Sequence, residues 1–516
     1  MNRTEMLRRL EGANPGGFDI AIIGGGATGL GIAVDAASRG HRVLLVEQAD
    51  FAKGTSSRST KLVHGGVRYL KQGNVSLVLE ALHERGLLCR NAPHLVHPLP
   101  FIIPAYHWWE GPFYGAGLKM YDALAGDLGM EPSRLLSPEE TLELLPTIET
   151  EGLTGGIIYH DGQFDDARLA IHLAMTAAEH GATLLNYTRC TGLIKEDGMV
   201  RGIEVVDDES GAALAVRARC VINATGVFVD HLRQMDSPTV AKLVSPSQGV
   251  HLVLPRSFLP GDTAIMIPKT DDGRVLFAVP WHDRVILGTT DTAVETPDLE
   301  PRPLPEEIEF LLKHAARYLT RDPLPEDVLA AFAGLRPLVA AQDEEATSAL
   351  SRDHTIEVAA SGMITITGGK WTTYRRMAED AVDQAQWLAG LESKPCVTES
   401  LRLHGATSTV VTDVHGTDRA DMVELENNMV GGQEIATAEV PVTRGEVAWF
   451  VRHEMARTVE DVLARRTRWL LRDARASISA APVIAGWLAE ELGCDEHWVA
   501  AQGAAYAELA RGYLLV

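Results

Sequence analysis

A glycine-rich turn between two apolar segments constrains the fold of this chain more than any other feature. Residues 18–23 form an apolar run of strand length, and Gly-x-Gly-x-x-Gly follows it at 24–29. Residues 28–38 have the small side chains of a helix that lies against a sheet, and residues 42–47 have the pattern of a second buried strand. A strand, a helix and a strand within about 30 residues predict a parallel βαβ unit.

The spacing of the glycines has a chemical interpretation. The first glycine permits the tight turn, the second lets a pyrophosphate approach the backbone, and the third allows close contact between helix and strand. Glu47 ends the second strand, where a carboxylate accepts hydrogen bonds from ribose hydroxyls. A purely structural glycine turn is the alternative, but the surrounding elements favour dinucleotide binding. The residues of this unit that we expect at the cofactor are Gly24, Gly26, Ala27, Thr28, Gly29, Glu47 and Gln48.

Length, charge and cysteine content limit the number of domains, the partners and the compartment that we expect for this chain. A chain of 516 residues is too long for one core, so two or three domains are expected. The formal charge of −23 disfavours binding to nucleic acid, whose phosphates repel an anionic surface. The five cysteines are sparse and lack metal-ligand spacing, so we expect no metal site and a reducing, cytoplasmic compartment. The first residues carry charges but no apolar signal core, and no run of apolar residues is long enough to cross a membrane.

The pattern along the chain predicts an α/β plus α+β protein. We expect a Rossmann-like dinucleotide-binding domain, a substrate domain with an antiparallel sheet, and a mainly helical domain at the carboxyl end. Short strands separated by turns from 250 to 290 carry the second prediction, and capping boxes at 443–446 and 458–461 carry the third. The predicted boundaries are 17–95, 155–240 and 355–392 for the first domain, 96–154 and 241–354 for the second, and 393–516 for the third.

Three further segments suit a long dinucleotide. Residues 53–61 carry hydroxyl and small side chains directly after the βαβ unit, as an extended loop along phosphates would. Two apolar runs, 221–226 and 364–370, each end in glycine, and the second leads into a helix whose N-terminus can stabilise negative charge. Each segment alone is more often structural than functional. Together they predict a sheet edge built around one extended cofactor.

Four strings carry a resemblance to a known family. They are TSSRSTKLVHGGVRYL at 55–70, GTTD at 288–291, GLRPL at 334–338 and GGKWTTYR at 368–375. With these strings the chain resembles the flavin-dependent glycerol-3-phosphate dehydrogenases of the D-amino-acid-oxidase-like superfamily, from about Phe18 to its end. The resemblance implies FAD bound without a covalent link, oxidation of sn-glycerol 3-phosphate to dihydroxyacetone phosphate, and electron delivery to a quinone in the membrane.

The resemblance also assigns residues. Further expected cofactor contacts are Thr55, Ser56, Ser57, Thr60, Lys61, Leu62, His64, Cys190, Ala224, Thr225, Gly226, Gly369, Lys370, Trp371, Thr372 and Thr373. The expected substrate-binding residues are Arg68, His251, Arg336, Lys370 and Arg375, whose cations suit a phosphate with two negative charges. Oxidation of an alcohol needs a base for the hydroxyl proton, and we assign that role to His64, with Arg68 and Tyr69 beside it.

Alternatives stay open at this point. The motifs do not separate a dehydrogenase from a glycerol-3-phosphate oxidase that makes peroxide, and an amine-oxidising relative or a non-catalytic flavin protein are further candidates. Residues 465–475 mix arginines with Trp469 and two leucines, which suits either attachment to the cytoplasmic face of the membrane or a helix packed inward. The sequence does not decide between a monomer and a homodimer.

Overall fold

The computed structural model of the protein describes residues 1–12, 16–66, 74–268, 270–271, 273–339, 354–407 and 413–515. Its strands are β1 (Phe18–Ile23), β2 (Val43–Val46), β3 (Leu62–Val63), β4 (Val96–Ala105), β5 (Arg134–Leu136), β6 (Gly155–Phe164), β7 (Thr183–Leu185), β8 (Thr188–Glu196), β9 (Met199–Asp207), β10 (Ala213–Asn223), β11 (Val244–Pro255), β12 (Ala264–Ile267), β13 (Leu276–Trp281), β14 (Arg284–Gly288), β15 (Thr292–Ala293), β16 (Ala330–Val339), β17 (His354–Val358) and β18 (Ile364–Gly368). Its α-helices are α1 (Arg3–Gly12), α2 (Ala27–Ser38), α3 (Val75–Asn91), α4 (Glu110–Ala125), α5 (Pro138–Leu144), α6 (Asp166–Glu179), α7 (Val229–Asp236), α8 (Pro305–Ala316), α9 (Tyr374–Ala389), α10 (Asp418–Asn428), α11 (Arg444–Glu454), α12 (Trp469–Arg472), α13 (Ala474–Leu492) and α14 (Glu496–Arg511).

The first sheet contains the predicted βαβ unit. Its strands run in the order β17-β18-β10-β1-β2-β7, and β8 and β9 extend it as an antiparallel hairpin joined to β10. The pairs from β18 through β7 are parallel, as the prediction required. Strand β1 is almost wholly buried, which is why its sequence is continuously apolar.

The second sheet is mainly antiparallel. Its strands run in the order β15-β11-β14-β13-β12-β4-β6-β3, with β16 on β11 and β5 on β6. The pairing of β12 with β4 is the parallel exception. Strand β6 belongs to this sheet, although the boundary predicted at residue 155 groups it with the first domain. The predicted fold class is confirmed. The domain boundaries stay a prediction.

The carboxyl-terminal part is helical and has its own apolar core. This part buries residues such as Phe450, Leu463 and Ile484 together with Phe332 of the second sheet. The predicted capping box of Thr443 is present at the start of α11, and Asp495 caps α14 as its position before a helical run indicated.

The arginine-rich segment 465–475 lies inward. Arg465, Arg466 and Arg468 are almost fully buried, and each pairs with a carboxylate of the first domain, at Asp50 or Asp166. Buried arginines cannot reach lipid headgroups, so the membrane-binding interpretation of this segment is wrong and the inward-packed one is correct. No helix among the described residues has the length and apolar character that crossing a bilayer requires.

Candidate active site

Two adjoining chambers lie where the sheets meet. The first, which we call the glycine chamber, encloses about 1380 Å³ including its open mouth, and the second, the cationic chamber, about 1820 Å³. The predicted residues that line the glycine chamber are Gly24, Gly26, Ala27, Thr28, Glu47, Gln48, Thr55, Ser56, Cys190, Ala224, Thr225, Gly226, Gly369, Lys370 and Trp371. Those that line the cationic chamber are Thr55, Thr60, Leu62, His64, His251, Arg336, Gly369, Lys370, Trp371 and Thr372.

The glycine turn needs its glycines. Gly24 has a φ of +112°, and a Cβ there would lie 2.6 Å from the carbonyl oxygen of Ala224. A Cβ on Gly29 would lie 1.9 Å from the carbonyl oxygen of Gly24, so this glycine serves helix contact rather than the chamber. A Cβ on Gly26 would approach the Ser56 hydroxyl to 3.0 Å. The backbone is thereby left bare on the side where α2 begins, and helix N-termini attract anions.

Glu47 sits at the end of β2 and faces this turn. Its carboxylate accepts hydrogen bonds from the backbone N–H of Gly25, at 2.7 Å, and of Ala49, at 2.9 Å. Burial raises the pKa of Glu47, while these two backbone donors act in the opposite direction. The carboxylate is thus held in one orientation at the rim of the glycine chamber.

The hydroxyl-rich loop is fastened to both neighbouring elements. Ser56 accepts a hydrogen bond from the backbone N–H of Ala27 at 2.9 Å, and its own carbonyl accepts one from the Trp371 indole at 2.9 Å. The Thr55 hydroxyl donates to the Leu335 carbonyl at 2.6 Å. Three segments distant in sequence therefore meet at this loop.

Arg336 is the best-defined cation of the second chamber. It donates to the Thr289 hydroxyl at 3.1 Å and to the Thr290 carbonyl at 3.0 Å, and its guanidinium lies 3.6 Å from the Asp291 carboxylate. A Cβ on Gly249, on the adjacent strand, would lie 2.3 Å from its Nη2. The glycine therefore provides the space into which this side chain extends.

Arg274 adds a cation that the sequence analysis missed. It lines the cationic chamber together with Arg336 and Lys370. Its signal in the sequence was weak, because a basic residue after the turn at Gly273 has many surface equivalents.

His251 is buried on the floor of the same chamber. Its Nε2 lies 2.8 Å from the Thr60 hydroxyl, and its ring stacks on Phe332 with centroids 4.9 Å apart. Burial, with help from the cations Lys61 and Arg336, lowers the pKa of His251 well below its usual value. The imidazole is therefore neutral at physiological pH.

His64 lies in a turn that is tied to the start of the helix after β18. The Thr372 hydroxyl accepts from the backbone N–H of His64 at 3.2 Å, and the N–H of Gly65 donates to the Tyr121 hydroxyl at 2.8 Å. The side chain of His64 lines the cationic chamber. Arg68 and Tyr69, which were predicted beside it, lie outside the described residues.

Five of the predicted contacts lie behind the chamber walls. Arg375 is buried in an ion pair with Glu84 at 2.6 Å, because it faces α3 rather than the cationic chamber, so the structure does not bring this predicted substrate contact to the site. Ser57 and Lys61 are buried residues of the loop that do not line either chamber, and Thr373 turns its hydroxyl toward the Lys370 carbonyl. Gly29, as described above, is the fifth.

The residues around the glycine chamber fit FAD. The bare backbone at Gly24 and Gly26 suits a pyrophosphate, and the fixed carboxylate of Glu47 suits a ribose. The cationic chamber shares a wall with it, since Thr55, Arg58, Pro337, Gly368, Gly369, Lys370 and Trp371 line both. These shared residues would contact both FAD and a small anionic molecule in the second chamber.

This fold and this pair of chambers define a flavin-dependent oxidoreductase. A model described as FAD dependent oxidoreductase matches residues 19–375, and one described as the C-terminal domain of alpha-glycerophosphate oxidase matches residues 362–499. The mitochondrial glycerol-3-phosphate dehydrogenase of Macaca fascicularis is 41% identical, over 94% of this chain and 72% of its own length. That of Saccharomyces cerevisiae is 37% identical, over 96% of this chain and 89% of its own. The chain belongs to the family of FAD-dependent glycerol-3-phosphate dehydrogenases.

Solved structures agree with this assignment. Glycerol-3-phosphate dehydrogenase from Bacillus halodurans, complexed with FAD, has a TM-score of 0.81 at 29% identity and covers 99% of this chain and 98% of its own. Glycine oxidase from Geobacillus kaustophilus, at 20% identity and a TM-score of 0.54, covers 76% of this chain and 99% of its own. The second likeness extends to the fold alone.

Proposed function

We propose that this enzyme oxidises sn-glycerol 3-phosphate to dihydroxyacetone phosphate in the cationic chamber. The observation that supports the proposal is the wall from Gly368 to Trp371 that the two chambers share: Lys370 belongs to it, and Arg336 lines the cationic chamber. Bound FAD supplies a two-electron acceptor for the hydride that leaves C2 of the substrate.

The phosphate is proposed to bind between the cations of the chamber. Arg336 presents a guanidinium that Thr289, Thr290 and Asp291 hold in place, and Lys370 and Arg274 line the same chamber. Charge-assisted hydrogen bonds of this kind fix both the position and the orientation of a phosphate. The orientation matters because transfer of the C2 hydrogen requires the substrate to be held in one geometry.

The proton of the C2 hydroxyl is proposed to pass to His64. As the C2–H bond breaks with its electron pair, the O–H bond loses its proton, so the carbonyl forms without a charged intermediate left in the chamber. His251 is neutral and hydrogen-bonded to Thr60, so its proposed role is to position the C2 hydroxyl of the substrate rather than to bind the phosphate. Predicted contributions of Arg68 and Tyr69 remain predictions.

The test is anaerobic reduction of the purified holoenzyme. We expect glycerol 3-phosphate to bleach the flavin absorbance, whereas glycerol, which lacks the phosphate, and a panel of amino acids leave it unchanged. Bleaching by an amino acid and not by glycerol 3-phosphate would contradict the proposal and favour an amine-oxidising enzyme. Peroxide formation under air at the rate of substrate oxidation would mark an oxidase.

Peripheral attachment to the membrane, with a quinone as acceptor, is proposed to use the outer face of α4. Trp109, Phe113, Ala116 and Met120 recur at the spacing of one helix face and are exposed, and Trp108 beside them is 84% exposed. Exposed apolar stripes with tryptophan at the edge suit the interface of a lipid bilayer. The proposed site of membrane attachment is therefore this surface and not the buried segment 465–475.

Co-sedimentation with vesicles of phosphatidylethanolamine and phosphatidylglycerol tests this surface. We expect the double variant Trp108→Ser, Phe113→Ser to lose vesicle binding while it keeps its flavin. Trp387→Ser is the matched control, because Trp387 is 76% exposed and lies on α9, outside the stripe. Equal binding of the double variant and the wild type would refute this placement. A homodimer stays a prediction, which the molar mass in solution decides.

A further inference from the structure

Two buried cations from opposite ends of the chain bind the same pair of acceptors. Lys61 donates to the Ser57 carbonyl at 2.8 Å and to the Asp166 carboxylate at 2.6 Å. Arg468, from the helical part, donates to the same carbonyl at 2.9 Å and to the other oxygen of Asp166 at 2.7 Å. Both cations also lie within 6 Å of the Trp281 ring, at 5.7 and 5.6 Å from its centroid.

Lys61 and Arg468 share a second property. Each has a positive φ, +64° for Lys61 and +66° for Arg468, although neither is glycine. Such backbones are uncommon for residues other than glycine and persist where the surroundings over-determine them. Here the surroundings are the two shared acceptors.

Asp166 is the centre of this arrangement. It is fully buried at the start of α6, and its carboxylate accepts five hydrogen bonds. The donors are the Ser59 backbone N–H, the Ser59 hydroxyl, the Lys61 ammonium, the Ala167 N–H and the Arg468 guanidinium. Residues 59–61 are thus fixed to α6 and to the helical part through one side chain.

The fixed segment forms one wall of the cationic chamber. Thr60, between Ser59 and Lys61, holds Nε2 of His251, and the Lys61 ammonium lies 5.2 Å from the ring of Phe332, on which His251 stacks. The other end of the loop, at Thr55 and Ser56, is held separately by Leu335, Ala27 and Trp371, as described above. Loss of the Asp166 contacts therefore releases the substrate side of the loop and leaves its cofactor side held.

We propose that Asp166 is a positioning residue for substrate oxidation, which makes the placement of Thr60 and His251 depend on Arg468 of the helical part. The proposal deepens the function proposed above and rests on it. Asp166 itself does not line either chamber, so it acts through Ser59 and Lys61. Lys61 is accordingly an anchor of the loop rather than a cofactor contact.

The test uses the holoenzymes of Asp166→Asn and Arg468→Gln. We expect flavin content per polypeptide to stay at the wild-type level, while the KM for glycerol 3-phosphate rises and the rate of anaerobic flavin reduction falls by roughly 10- to 100-fold. Arg457→Gln is the matched control, because Arg457 also joins the helical part to a carboxylate, Glu209, away from the chambers. It should leave both quantities unchanged.

A double-mutant cycle separates positioning from general destabilisation. In a Thr60→Ala background, where the link to His251 is already lost, Asp166→Asn should add little further loss. Ser59→Ala, which keeps every charge, covers the event that Asp166→Asn does not fold, and should raise KM in the same direction. Additive effects, or equal losses of flavin and rate, would overturn the proposal. Failure of glycerol 3-phosphate to reduce the wild-type flavin would instead overturn the proposed function.

Discussion

Replacement of Arg336 by alanine tests the phosphate site directly. The side chain is held by Thr289, Thr290 and Asp291, and it is 24% exposed, so its guanidinium faces the chamber in an environment only partly screened by water. Its removal leaves these partners in place and takes away one cation. We expect a specific loss of affinity for the phosphate of the substrate.

The size of the loss follows from the kind of contact. Hydrogen bonds to charged groups contribute about 1.5–3 kcal/mol net, and a guanidinium gives its best value when two donors of the fork are used. A loss of about 2–3 kcal/mol corresponds to a rise in KM of roughly 30- to 150-fold. Arg336→Lys keeps the charge but not the fork, so it should lie between the wild type and the alanine variant.

The assay is anaerobic flavin reduction at a series of glycerol 3-phosphate concentrations, with flavin content measured on the same samples. Arg134→Ala is the control, because Arg134 is 55% exposed and pairs with Glu140 on the surface. Its KM should stay within roughly twofold of the wild type. A variant of Arg336 that loses FAD but keeps its affinity for substrate would refute the assignment.

Two further predictions concern the integrity and stability of the fold. Gly29→Ala should abolish flavin binding or soluble expression, because its Cβ would lie 1.9 Å from a backbone oxygen, whereas Gly503→Ala meets nothing within 4 Å and should stabilise α14 by about 0.5–1 kcal/mol in thermal unfolding. Burial lowers the pKa of His404, but hydrogen bonds to Asp418 and Glu179 outweigh it and bring the value to about 9 from 6.5. The protonated His404 therefore stabilises the fold fully below pH 6.5, and this contribution is lost as the pH rises through 9. The difference in unfolding free energy between the wild type and His404→Gln should shrink over this interval by up to about 3 kcal/mol. A difference that does not vary with pH would contradict this.

The βαβ unit could be predicted because all of its determinants are local. The turn glycines, the apolar runs and the acid at the end of β2 lie within 30 residues, and each constrains the backbone by itself. The antiparallel character of the second sheet was readable for the same reason, from turns and short strands. The parallel pair of β12 with β4 was not, because it joins residues far apart in sequence.

The predictions that the structure does not support concern arginine side chains. Arg375 follows a motif that lines the site, yet it turns to Glu84 on α3, 291 residues away in sequence. Arg465, Arg466 and Arg468 suggest a surface until their pairing with Asp50 and Asp166 is known, and these two carboxylates lie in the first 170 residues. The sequence identifies an arginine as a cation, whereas the carboxylate that it pairs with depends on the fold.

The shared wall at Gly368 to Trp371 limits how this enzyme can diversify. A substitution there changes the lining of the proposed FAD site and of the proposed substrate site together, so cofactor binding and substrate binding both constrain it. Positions such as Gly249 and Arg274 border the reactant side alone. Engineering toward other phosphorylated polyols should therefore begin at such positions, where substrate specificity can change without altering the residues proposed to contact the flavin.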